Sequence, residues 1–266
     1  MAKISILLSH ERSGSHLAGE FIGALENYRM VDEVCNPGAL KPNTHRESFH
    51  RFKYDYVLAD PNYSLEPSRK GHSDFVKAFF DYLVEVKKPF DIAIDIKYGH
   101  VQNFEWWWWP PLERPYLFNF CEQHDIGIVH LYRENVIAAT VSSAIADQRK
   151  IWHSWEKGAD AGITQKYKLN VDSIVQRAQL LERQSELYRG WTRKNRKLEV
   201  TYEDIAAGLG KGGEIETRVA TFLGSKPRRE FEPRHQKLTP PLRDAIENYE
   251  ELRTACRAQG LQRHLA

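Results

Sequence analysis

Near the start of the chain, Lys3-Ile4-Ser5-Ile6-Leu7-Leu8 runs into Ser9-His10-Glu11-Arg12-Ser13-Gly14-Ser15-His16, after which Leu17, Phe21, Ile22 and Leu25 recur at helical spacing. A short, partly β-branched apolar run of this kind reads as a buried parallel strand, and the spacing beyond the loop reads as a helix. A helix that begins just after a Ser/Gly loop presents unpaired backbone amides and the positive end of its dipole, which together make an oxyanion site. Gly14 lets the backbone approach such a group closely. Ser13 and Ser15 add hydroxyl donors, and Arg12 can make paired, charge-assisted contacts. The loop lacks the second glycine and the Lys-Ser/Thr pair of the ATP-binding loop, which argues against a kinase or an ATPase.

The rest of the chain alternates strand and helix signals. Phe90 to Lys97 predicts a second core strand, Gly127 to Tyr132 a third, and Leu198 to Tyr202 a fourth. Helices are expected over Phe75–Val86, Leu117–Gln123, Val136 to about Lys150 with Asn135 as its cap, 170–190, and a stretch ending in Phe222-Leu223-Gly224. Leu242, Ile246, Tyr249 and Leu252 predict one C-terminal helix stopping at Gly260. Residues 36–72, rich in Pro, Asn, His and Tyr, read as long irregular connections. Strands alternating with helices imply an α/β fold, a mainly parallel sheet covered on both faces, in one domain spanning residues 1–266.

Composition narrows the function classes. With 38 basic against 36 acidic side chains the net charge is +2, which fits a local site for a small anion rather than a surface that coats nucleic acid. Cys35, Cys121 and Cys256 are widely spaced and show no metal-binding pattern, so a reducing, cytoplasmic setting is expected. The run Ile4–Leu8 is too short for a signal-peptide core, and no stretch approaches a membrane span.

A second segment adds to the first. Arg133 ends the third strand, and Ser142 follows nine residues later in the next helix; a strand-end arginine and a serine on the adjacent helix can share a second phosphate. Taken together, the two segments resemble the sulfotransferase family. Arg12-Ser13-Gly14-Ser15-His16-Leu17 is similar to the family's 5′-phosphosulfate loop, P-[KR]-[ST]-G-[ST]-[ST]-L or W, and Arg133 through Ser142 to its 3′-phosphate segment. Tyr202-Glu203-Asp204-Ile205 resembles the Y-E-D-L after a late strand, and Val219 through Gly224 the downstream helix ending in F-L-G. Ile246 through Leu252 is like the C-terminal helix of bacterial carbohydrate sulfotransferases. Two positions depart from the pattern: Glu11 stands where proline is usual, and His16 where threonine or serine is usual.

The resemblance implies a P-loop-like three-layer α/β/α sulfotransferase fold and a donor, 3′-phosphoadenosine-5′-phosphosulfate (PAPS), that leaves as the bisphosphate PAP, with no metal required. Arg12, with Ser13, Gly14, Ser15 and His16, would hold the 5′-phosphosulfate, and Arg133 with Ser142 the 3′-phosphate. The acceptor, a small molecule or glycan, would lose its proton to one of two candidates. Lys97 and His100 lie at the carboxyl end of the second strand, the edge where α/β sheets bind ligands; Lys97-Tyr98-Gly99-His100 is one residue longer than the family's K-x-H. Histidine titrates in the useful range. Glu33 resembles the acidic base placed after the first helix in some bacterial carbohydrate sulfotransferases. Trp106 and Trp107, the first of four consecutive tryptophans, offer faces for sugar rings or apolar acceptors. Gly208, Gly210 and Gly213 form a G-x-G-x-x-G that does not directly follow a strand and reads as a surface loop. Lys226, Arg228, Arg229, Arg234 and Lys237 form a basic loop. The alternative function is a non-catalytic nucleotide- or glycan-binding protein that keeps the fold.

Overall fold

The computed structural model describes residues 2–36, 47–65, 68–105, 113–151, 165–210, 213–227, 231 and 240–265. Five parallel strands form its sheet: β1 (Ile4–Ser9), β2 (Tyr28–Val31), β3 (Asp91–Lys97), β4 (Gly127–Tyr132) and β5 (Lys197–Thr201), in the order β2-β3-β1-β4-β5. The helices are α1 (Ser15–Gly23), α2 (Phe49–Ala59), α3 (Asn62–Leu65), α4 (Arg69–Lys87), α5 (Tyr116–Gln123), α6 (Val136–Arg149), α7 (Val171–Trp191), α8 (Tyr202–Gly208), α9 (Glu214–Leu223), α10 (Leu242–Ala245) and α11 (Tyr249–Ala258).

Strand alternation sorts the core into layers, because successive side chains point to opposite faces of a sheet. Ile6, Leu8, Ile92, Ile94, Ile96 and Ile128 pack on one face against Phe49 of α2, Phe75, Phe79, Phe80 and Leu83 of α4, and Phe118 and Phe120 of α5. Leu7, Ala93, Val129, Leu131 and Val200 pack on the other against Phe21 and Ile22 of α1, Ile205 of α8 and Val219 and Leu223 of α9. The result is the three-layer α/β/α arrangement expected from the sequence. A third cluster, away from the sheet, joins Ile137, Val141 and Ile145 of α6 to Ile174 and Ala178 of α7, Ala245 and Leu252.

Four strands fall within a residue or so of their predicted bounds, and Asn135 caps α6 as expected, its side chain accepting from the Ala138 amide at 2.8 Å. Three expectations need correction. Tyr28–Val31 is a strand with no signal in the sequence: it pairs Tyr28 with Asp91 and Val31 with Ile94 at the sheet edge, and four residues are too few to show a period. Residues 36–72 are not wholly irregular, since α2 and α3 lie within them. The cap Ser48, whose hydroxyl accepts from the Arg51 amide, and the buried Phe49 set where α2 starts. The C-terminal helix is broken, because Ile246 is extended (φ −115°, ψ 127°) and pairs with Tyr167 before α11 begins.

The strand order reverses at β1. β3 lies on one side of it and β4 on the other, with Ser9 in register with both Lys97 and Leu131. The carboxyl edge at such a switch point is where open α/β sheets leave a crevice for ligands. The loops after β1, β3, β4 and β5 all open onto that edge.

Candidate active site

The loop after β1 is shaped by two residues in left-handed backbone conformations, Arg12 (φ 60°) and Gly14 (φ 85°). For arginine this conformation costs energy, of the order of 1–3 kcal/mol, and persists only where the surroundings enforce it. Ser13 helps to enforce it: its hydroxyl donates to the His10 carbonyl at 2.7 Å, closing the turn. Gly14 has a second constraint, because a Cβ there would lie 2.5 Å from Cδ2 of Tyr202. α1 starts at Ser15 with Gly14 as its cap and no side-chain bond to its first turn, so its leading amides face the loop.

Lys97 reaches this loop from the neighbouring strand. Its ammonium, buried with the side chain 6% exposed, donates to Ser15 Oγ at 2.6 Å, to Ser9 Oγ at 3.3 Å and to Asp95 Oδ2 at 2.5 Å, and lies 3.7 Å from Glu33 Oε1. Asp95 is itself buried, and its Oδ1 has no partner among the described residues. Burial pushes the Asp95 carboxyl above the ordinary carboxylate range, with Lys97 opposing that rise. The sequence held a signal for this pair. Asp95 and Lys97 are two apart on a strand, which puts both on one face, and they are the charged positions that follow the apolar run Ile92–Ile94.

Glu33 and His100 both interact electrostatically with Lys97 and with each other. Glu33 follows β2 in a left-handed turn (φ 32°), and its Oε2 accepts from Asn36 Nδ2 at 2.7 Å. Burial raises its pKa, but the charges of Lys97, His16 and His100 and the Asn36 bond outweigh burial and leave the carboxyl below its ordinary value. His100, in the short 3₁₀ helix Tyr98–Phe104 that continues from β3, is pushed below its ordinary value by burial, with Glu33 pulling the other way. It is therefore a neutral imidazole at neutral pH. The turn carrying it is braced from beneath: Tyr188 of α7 stacks on Tyr98 with centroids 4.0 Å apart and donates to the Tyr98 carbonyl at 2.7 Å. The Tyr98 hydroxyl in turn bonds His130 Nε2 at 2.6 Å.

The segment after β4 meets the loop directly. Arg12 donates through Nε and Nη2 to Ser142 Oγ at 3.2 and 3.1 Å, and Arg133 Nη1 donates to the Arg12 carbonyl at 3.4 Å. The Arg133 guanidinium lies 4.4 Å from the centroid of the Tyr202 ring, a favourable cation–π placement, and that same ring packs on Gly14. Glu203 accepts from the amides of Glu134 and Asn135, fixing the turn into α6. Within the tetrapeptide Tyr202–Ile205, then, one residue packs the β1–α1 loop and the next holds the β4–α6 turn.

The structure thus gathers Arg12, Ser13, Gly14, Ser15, His16, Glu33, Lys97, His100, Arg133 and Ser142 on one edge of the sheet. Glu11 is exposed, and its charge acts on His100 against the effect of burial there. Trp106 and Trp107 lie outside the described residues, as do Arg228, Arg229, Arg234 and Lys237 of the basic loop. Among the described residues no group of three or more His, Cys, Asp or Glu side chains is arranged to hold a metal ion, and no helix is long and apolar enough to cross a membrane.

A parallel sheet whose switch-point edge carries two arginines, a buried lysine and an open helix start has the makings of an oxyanion site in an α/β protein. Residues 124–249 match the family model described as Stf0 sulphotransferase, in keeping with the resemblance read from the motifs. The matched residues include Arg133, Ser142 and Tyr202; the loop Arg12–His16 lies before them. A crystal structure of a sulfotransferase from Alicyclobacillus acidocaldarius is similar with a TM-score of 0.46 and 12% sequence identity, covering 100% of this chain and 96% of that one. No curated protein matches the chain.

Proposed function

We propose that this chain, acting as one domain over residues 1–266, transfers a sulfuryl group from PAPS to a hydroxyl of a carbohydrate or glycoconjugate acceptor and releases PAP. The observation that carries the reading is the contact between the two anion-binding segments: Arg12 of the first loop bonds Ser142 of α6, while Arg133 bonds the carbonyl of Arg12. A ligand with phosphates at both ends of one nucleoside suits a site whose two cationic segments touch. When bound, PAPS supplies an activated sulfuryl group on a phosphate leaving group.

The chain's own residues have three tasks. Arg12, Ser13, Gly14, Ser15 and His16 hold the phosphosulfate, with the α1 amides and Lys97 placed to stabilise charge on oxygens at Ser15. Arg133 and Ser142 hold the 3′-phosphate. His100, neutral at working pH, accepts the acceptor hydroxyl's proton, and Glu33 stabilises the imidazolium that forms. A carboxylate held below its ordinary value, already tied to Lys97 and Asn36, is the weaker base of the two. The carbohydrate class rests on Trp106 and Trp107, whose faces suit sugar rings. Three free, buried cysteines are in keeping with a cytoplasmic setting.

The test is titration with adenosine 3′,5′-bisphosphate, followed by thermal stability, and then transfer of labelled sulfate from PAPS across a panel of glycans. Saturable stabilisation and label on a glycan support the proposal. Absence of bisphosphate binding removes the donor-site assignment, and binding without transfer to any acceptor favours a non-catalytic role.

A further inference from the structure

His10 is the first residue after β1 and is 2% exposed, yet none of the roles above uses it. Its ring spans the two anion-binding segments. Nδ1 lies 2.7 Å from the carbonyl oxygen of Glu11, in the first loop, and Nε2 lies 3.1 Å from the backbone nitrogen of Arg133, at the end of β4. The partners settle the tautomer: a carbonyl can only accept and an amide N–H can only donate, so Nδ1 carries the proton and Nε2 is the bare acceptor. The backbone of the same residue is also engaged, since its carbonyl receives the Ser13 hydroxyl.

We infer that His10 is a positioning residue that locks the register between the two phosphate-binding segments, and that it thereby makes the ligand's two phosphates bind cooperatively. This rests on the reading of the edge as a site for a nucleoside bisphosphate. The physical argument is one of geometry and solvation. Arg133 reaches its site from β4 and Arg12 from β1, and the strand ladder between them ends at Ser9 and Leu131. Beyond that point no ladder pair joins the two chains, and the imidazole makes one bond to each. The neutral ring is the form required. Burial lowers the His10 pKa to about 4, only partly offset by its bond to the Glu11 carbonyl, so Nε2 stays an acceptor throughout the working range. A protonated ring would present two donors and leave the Arg133 amide without a partner.

Two conservative substitutions separate the bonds. In His10→Asn the side-chain amide can replace Nδ1 toward Glu11 but cannot reach Arg133. In His10→Gln the longer side chain can place its oxygen where Nε2 accepts. The readout is the ratio of affinities for adenosine 3′,5′-bisphosphate and adenosine 5′-monophosphate, measured by calorimetry on folded protein, because general loosening weakens both ligands alike. The wild-type ratio is expected to fall about tenfold in His10→Asn, the upper end for one lost hydrogen bond between neutral groups, and to recover in His10→Gln. An unchanged ratio in His10→Asn, or an equal loss in both variants, overturns the inference and leaves the site reading standing. A wild-type ratio near one means that the 3′-phosphate adds nothing, and removes the site reading and the inference together. Nitrogen-15 spectra of the wild-type imidazole supply a check that needs no variant: at neutral pH His10 must be the Nδ1–H tautomer, and an Nε2–H tautomer overturns the inference.

Discussion

The ammonium of Lys97 donates to Ser15 Oγ at 2.6 Å while resting 2.5 Å from the carboxylate of Asp95, so the first turn of α1 is tied to a charge pair buried in the sheet. The lysine is held at full hydrogen-bonding capacity by Asp95, Ser9 and Ser15, which fixes its head against the loop rather than leaving it on a mobile stem. A strand register in which Ser9 faces Lys97 makes this possible.

Removing only one member of that pair should be costly. Lys97→Met leaves Asp95 buried without its counter-ion, and we expect a loss of about 3 kcal/mol in denaturant unfolding, together with loss of turnover. Combining Lys97→Met with Asp95→Asn should recover most of the stability and none of the activity. Recovery of turnover in the double variant would show that Lys97 serves the fold alone.

Gly14→Ala should damage the loop in two ways. The new methyl meets the Tyr202 ring at 2.5 Å, and alanine disfavours a φ of 85°. The expected cost is roughly 1–3 kcal/mol of stability, with bisphosphate affinity falling in parallel. In Gly14→Ala combined with Tyr202→Ala the steric part should be relieved and the backbone part should remain. A single variant as stable as the wild type would contradict the packing described for Tyr202.

Arg133→Met should discriminate between ligands. Loss of a charge-assisted contact of this kind is worth about 1.5–3 kcal/mol, so affinity for adenosine 3′,5′-bisphosphate should fall by at least about tenfold. Affinity for adenosine 5′-monophosphate should change much less, because in the proposed site its phosphate belongs to the Arg12 loop. Equal losses for both ligands would place Arg133 on the 5′ side of the site.

The pH profile distinguishes the roles of His100 and Glu33. His100 must be neutral to take a proton, so kcat/KM should fall on the acid side, with a midpoint below the ordinary histidine value of 6.5. The Glu33 charge raises the His100 pKa, so Glu33→Gln should move that acid limb further down in pH while lowering the rate. His100→Asn should cost roughly 10²–10⁴-fold in turnover and leave bisphosphate binding intact. Full activity in His100→Asn together with an inactive Glu33→Gln would reverse the assignment and make the carboxylate the base.

Much of this protein is written locally in its chain. The apolar run into a Ser-Gly-Ser loop, the period of α1, the strand Gly127–Tyr132 and the Asn135 cap all depend on neighbours a few residues away, and the sequence determines them. So do the identities of the cationic residues at the strand ends. β2 and α2 were harder to read: a four-residue edge strand carries too little periodicity, and α2 gains its definition from Phe49 packing beneath α4. The tertiary structure alone decided which residues meet. It set Lys97 against Ser15 through the β1–β3 register, joined Arg12 to Ser142 across 130 residues, put the Tyr202 ring between Gly14 and Arg133, and gave His10 two partners from different loops. Hydrogen bonds and charge pairs act over a few ångströms, and only the parallel pairing of strands distant in sequence brings those groups within that range.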